Sequence, residues 1–277
     1  MGVRKTLVAA AIGTGAAFMS APALSAHIPG FGFGPQTFTF DPTGFCDLAT
    51  CAEFSAKYID FSYQAEVDQQ GNAFQESGFA FFSTFQTELG SPVNALTTGL
   101  NTDYKMYTVF TGTGTTALNG GGIDGTFDNF LAAIFVDPLM DTTCNVGTVG
   151  GADESLSCSG DGDDFAILFG TLDEGGFHVF PGLAAGDFDV LLNVVDFDGS
   201  VWGGDAFAGP TVQADINGVN TQISGIAAPP TNFTDGHIIG SGNVSFQSVP
   251  EPGSLSLLAL GLLGFGAMMR RRLGAQA

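Results

Sequence analysis

KMYTVFTGTGTTALNGGGIDGTFDNFLAAIFV, residues 105–136, decides the fold class. β-Branched and aromatic residues alternate with polar ones from Lys105 to Thr113 and again from Gly125 to Val136, and Gly120 to Gly122 between them can supply the positive φ that a hairpin turn requires. Two antiparallel strands joined by a turn follow. The same grammar extends outward in both directions: strands are expected at Thr37 to Phe40, Lys57 to Val67, Gly78 to Phe85, Phe165 to Leu172, Asp187 to Phe197, Thr211 to Ile216 and Asn243 to Gln247. Gly71-Asn72, Asp198-Gly199, Asn217-Gly218 and Asp235-Gly236 provide turn signals between them. Many short strands, with few long runs of helix formers, predict an all-β chain folded as a single antiparallel β-sandwich or jelly-roll-like domain.

That domain is expected to occupy residues 27–248, long enough for a real core, and no linker, charge block or repeat of 20 to 50 residues divides it. From His27 to Val249 it carries 27 acidic residues against Lys57 and Lys105, a formal charge of −25. Such a surface lacks the cations needed to displace counterions from phosphates, so nucleic acid is excluded as a partner. Acidic charge keeps a chain with 27 phenylalanines from associating, and it leaves room for cation binding.

Both ends read as addresses. Arg4 and Lys5 precede an apolar run from Leu7 to Phe18 and small residues from Ser20 to Ala26, the pattern of a Sec signal peptide over residues 1–26. Cleavage after Ala26 places Leu24 at −3, and cleavage after Ala23 offers Ala21-Pro22-Ala23. Residues 249–273 hold Pro250-Glu251-Pro252, an uncharged stretch from Leu255 to Met269, then Arg270, Arg271 and Arg272. As a helix the uncharged stretch spans about 22 Å, short for a hydrocarbon core of ~30 Å, and three glycines weaken it further. The arginines would hold its far end in the cytoplasm. These three parts in this order resemble the PEP-CTERM sorting signal. The resemblance implies export by the Sec machinery, a transient inner-membrane stage through the C-terminal helix, and processing by exosortase. The product would be a protein of the cell surface or extracellular matrix of a Gram-negative bacterium.

Most phenylalanines, Phe79, Phe81, Phe82 and Phe85 among them, are expected to fill the sheet interior, each contributing about 1.5 to 3 kcal/mol when buried. Trp202, the only tryptophan, lies in GSVWGGD and is either a packed loop residue or a sugar contact. In an oxidising compartment Cys46, Cys51, Cys144 and Cys158 predict two disulfides, and proximity favours 46–51 and 144–158 among three connectivities. Zinc is the weaker alternative, since neither pair has a neighbouring histidine. No cofactor is required, but Asp161, Asp163, Asp164, Asp196 and Asp198, with Asp187, Asp189 and Asp205 nearby, offer the oxygen ligands that calcium takes, without forming an EF-hand loop. Alternating aspartates also suit the solvated face of a strand.

No GxSxG, HExxH or P-loop signature is present, no GxGxxG joins a strand to a helix, and His178 and His237 adjoin no evident nucleophile. The chain is therefore expected not to be an enzyme. FTFDPTG (38–44), FQESGF (74–79), KMYTVFTGTGT (105–115), FVDP (135–138) and DGHIIGSGNVSFQ (235–247) resemble the flocculation-associated PEP-CTERM proteins. That resemblance implies a non-enzymatic role in floc or biofilm formation with extracellular polysaccharide. A secreted calcium-dependent carbohydrate-binding module is the alternative, and an extracellular hydrolase the third.

Overall fold

The computed structural model describes residues 34–147, 156–181, 185–224 and 236–249. The expected signal peptide and the sorting residues Pro250, Glu251, Pro252 and Arg270 to Arg272 lie outside the described residues. Thirteen strands are described: β1 (Phe38–Phe40), β2 (Phe54–Ala56), β3 (Tyr58–Gln70), β4 (Ala73–Gln86), β5 (Lys105–Asn119), β6 (Gly122–Asp137), β7 (Thr143–Asn145), β8 (Ser157–Ser159), β9 (Phe165–Val179), β10 (Gly186–Phe197), β11 (Trp202–Gly204), β12 (Thr211–Ser224) and β13 (Gly236–Val249). Among the described residues no helix is long and apolar enough to cross a membrane.

The all-β expectation holds, and the sandwich is corrected. The eight long strands form a closed antiparallel barrel in the order β3-β4-β5-β6-β9-β10-β12-β13, with β13 returning to pair with β3. Each barrel strand pairs with the next one along the chain, an up-and-down meander. Period-two alternation is the same in a sandwich and in a barrel, so it could not separate them. Closure comes from strand length and coiling. The barrel strands run to 16 residues, and register shifts at Asp60/Phe61, Thr113/Gly114, Ile134/Phe135, Leu191/Leu192 and Asn220/Gln222 add twist until the first and last strands meet.

Glycine and phenylalanine share the barrel wall between them. Gly78 lies directly opposite Phe110, Gly112 opposite Phe130, Gly114 opposite Phe74, Gly125 opposite Phe177, Gly218 opposite Phe188, Gly240 opposite Tyr63 and Gly242 opposite Phe61. At each of these glycines a β-carbon would meet the opposing ring, so the ring covers the backbone that the glycine leaves bare. These pairs engage seven of the chain's 41 glycines and six of its 27 phenylalanines. Inward positions are mostly aromatic and aliphatic, whereas the outer rows of β10, β12, β13 and β3 carry Asp187, Asp189, Asn217, Asn243 and Asp60. A barrel that faces lipid has the opposite arrangement.

The two ends of the barrel differ in construction. At the hairpin end, Gly71-Asn72 joins β3 to β4 and Gly120-Gly121 joins β5 to β6; Gly71, Gly120 and Gly121 all have positive φ. The other end, the base, receives the long connections and is plugged by the sheet β11-β1-β2. Phe38, Phe40, Trp202, Phe85, Phe207 and Phe246 pack there, with Phe40 4.9 Å from both Phe85 and Trp202 between ring centroids.

A second apolar cluster lies on the outer wall. Phe79 and Tyr107 are buried there with Phe81, Val109 and Phe135 against them, under the β7–β8 ribbon. Cys144 and Cys158, opposite each other in that ribbon, form a disulfide, and so do Cys46 and Cys51, the pairing favoured by proximity. Gly99, which ends the helical turn Ala95–Thr98 in left-handed geometry, leaves room for the Cys46–Cys51 sulfurs beside Tyr104.

Candidate functional site

Three polar constellations stand out against this frame. The first is at the base, where Asp137 ends β6 and Asp163 and Asp164 precede β9. Their carboxylate oxygens lie within 4.8 Å of one another. Asp137 is fully buried and accepts from the backbone N–H of Thr142 at 2.9 Å and of Asp141 at 3.3 Å. Asp164 Oδ2 accepts from the Tyr107 hydroxyl at 2.6 Å and from Thr142 Oγ1 at 2.7 Å, and its Oδ1 is buried with no hydrogen-bond partner. Burial raises the Asp164 carboxyl above the ordinary range, with the charges of Asp137 and Asp163 adding to it and the two hydroxyl bonds opposing. Crowded carboxylates with a free oxygen suit a hard cation.

The structure thus brings together two of the five aspartates expected for calcium and adds Asp137, which the sequence reading had not singled out. Asp196 and Asp198 stand apart from this group: Asp198 Oδ1 accepts from Ser200 N and Oγ in a local turn. Asp161 acts on the cluster through its charge, which adds to the upward shift of Tyr107. An aspartate immediately before Pro138, closing an alternating strand, was the available signal for Asp137. Zinc at the cysteines is incompatible with the structure, because both pairs are disulfides.

The second constellation is an open groove of about 1180 Å³ on the outer flank, lined by Asp60, Asp124, His178, Asp187, Asn217 and Asn243 among others. His178 Nδ1 and Asp124 Oδ1 are hydrogen-bonded, and Asn119 Nδ2 donates to Asp124 Oδ2 at 2.7 Å. These bonds, the histidine's first, hold the Asp124 carboxyl below its ordinary value. Below them, Asp189 and Asp215 are raised by burial, Asp189 also by the charge of Asp215. The groove therefore offers carboxylates and amides at strand spacing. Ser241 is on the same row as His178 but three strands away, about 14 Å at ordinary strand spacing, so the two are not joined as nucleophile and base.

The third lies inside the barrel, where Glu76, Tyr63 and Asn220 face one cavity. None was picked out from the sequence. The signal was there, since Glu76 interrupts the inward series Phe74, Gly78, Ala80 and Phe82 on one face of a strand. Trp202, by contrast, is no surface contact: it is 2% exposed in the base plug and donates Nε1–H to the Ile167 carbonyl at 3.0 Å. The glycines flanking it serve a close approach to Thr39 on β1.

No curated protein and no solved structure matches the chain. Residues 248–272 match the family model of the PEP-CTERM protein-sorting motif, which begins at the last two residues of β13. The match implies that the chain is exported, sorted to the cell surface and processed by exosortase.

Proposed function

We propose that this barrel is a non-enzymatic protein of the cell surface and extracellular matrix that holds cells to extracellular polysaccharide and so supports floc or biofilm formation. The observation that carries the reading is the sorting motif beginning where β13 ends, on a barrel whose outer flank is a wide polar groove. Rows of Asp, Asn and Ser can exchange hydrogen bonds with sugar hydroxyls, and the formal charge of −25 from His27 to Val249 favours a neutral or cation-bridged glycan over an anionic one. The Asp137–Asp163–Asp164 cluster favours a second reading, a calcium-dependent carbohydrate-binding module.

Intact mass and fractionation of the native protein test the first reading. A species lacking both ends and enriched in the matrix is expected, and cells lacking the protein should aggregate poorly. Replacing Pro250, Glu251 and Pro252 by alanine should leave full-length protein in the inner membrane; normal release of that variant would refute the sorting step. A module should bind a defined glycan and release it when calcium is chelated, and a hydrolase should liberate reducing ends.

A further inference from the structure

The interior constellation encloses a cavity of about 80 Å³. Its wall is dominated by rings, among them Phe61, Phe110, Phe127, Phe130, Phe177 and Phe188. Glu76 enters it from β4, directly opposite Val67 on β3 and Gly112 on β5, and is only 7% exposed. Among the described residues no basic side chain lines the cavity and no hydrogen bond reaches the Glu76 carboxyl. The Tyr63 hydroxyl on the same wall is spoken for, since it donates to Asn220 Oδ1. A carboxyl so placed lacks the partner that buried polar groups require.

We propose that the barrel interior binds a small organic ammonium ion, with Glu76 as its counter-ion and the aromatic wall around its carbon atoms. An ammonium supplies the donors that the carboxyl lacks, and aromatic rings attract cations electrostatically. The strongly acidic exterior raises the local concentration of any cation. Size narrows the class: an engineered cavity of about 150 Å³ holds benzene, so this one takes an amine of roughly three to five non-hydrogen atoms. The inference is independent of the polysaccharide reading.

Protons must balance on binding. Burial pushes the Glu76 carboxyl up to about 8, so at neutral pH it is mostly protonated before the cation arrives. Binding then leaves an ammonium–carboxylate pair and releases one proton to solvent. Among the described residues Tyr63 on β3 is the other titratable group on the cavity wall, and burial and the charge of Glu76 hold it far above neutral pH; β5, β6, β9, β10, β12 and β13 present none.

Calorimetric titration of the purified protein with n-propylammonium, with n-propanol as neutral counterpart, tests this. Affinity for the cation should rise about tenfold per pH unit from pH 6 towards 8 and then level, below the amine's own titration near that of lysine at ~10.4. At pH 7, buffers of different ionisation heat should report close to one proton released per cation. Glu76→Gln should weaken the cation at least tenfold, and Ala132→Phe, which fills the cavity from β6, should abolish binding. Propanol binding as tightly as the cation, binding without proton release, or affinity unchanged in both variants would overturn the proposal. If either variant fails to fold, the proton count on the unmodified protein decides.

Discussion

The two ends of the barrel solve the same problem by different means. At the base the opening is filled by large side chains brought in on separate segments: Trp202 from β11, Phe38 and Phe40 from β1, and Phe207 from the turn after β11. Toward the hairpin end the strands fill their own interior, each ring lying on a glycine of the neighbouring strand. That half also tolerates polar groups, with Glu76, Asn220, and Gln69 donating to Thr116 Oγ1 at 2.8 Å. The plug at the base, apart from the Asp137 cluster at its edge, is a conventional apolar core. The upper half trades apolar packing for a cavity and a buried acid, which is where a ligand can be accommodated.

The largest expected effect separates the two halves by pH. Glu76 is raised in the folded state from 4.5 to about 8, so its contribution is fully present below about pH 4.5 and is lost as pH rises through about 8. At about 1.4 kcal/mol per unit, this difference is at most about 5 kcal/mol. Glu76→Gln should remove that part of the slope, measured as denaturant midpoints of both proteins between pH 4 and 9; identical slopes would break the contrast. In the base, Trp202→Ala should cost about 3 to 5 kcal/mol with no new pH dependence, by the same measurement. Smallest is Gly240→Val. Its β-carbon would land on the Tyr63 ring and the Val219 carbonyl, and about 1 to 3 kcal/mol is expected for such overpacking. A neutral result there would show that the ring moves aside and that the glycine–ring pairing is not needed.

The same divide governs what could be read from the chain. Every barrel strand was recognisable, and the expected ends at the base fall within two residues of those observed: Lys57 against Tyr58, Phe85 against Gln86, Val136 against Asp137, Gln247 against Val249. At the hairpin end the strands were cut short: β9 continues from Leu172 to Val179, β12 from Ile216 to Ser224, and β13 begins at Gly236 rather than Asn243. Glycine at an inward position looks like a turn: Asn217-Gly218 carries a turn signal although it continues β12. Only the ring on the next strand explains it, and that ring is remote in sequence. Both disulfides were legible because each joins cysteines 14 or fewer residues apart. The Asp137–Asp163 contact and the inward face of Glu76 depend on barrel closure, which alternation alone does not encode.

The position of β13 has a mechanical consequence. It is hydrogen-bonded on both sides, to β12 from His237 to Val249 and to β3 from Gly236 to Ser245, and the sorting tail continues from its last residue at the base. A cell that holds the protein by that end and a polymer that pulls on its flank would load β13 along its own length. The ladders on both sides then bear the force together in shear, whereas an edge strand would peel away one bond at a time. Ser248, whose N–H donates to Gln36 Oε1 at 2.9 Å, adds a latch at the point where tension enters.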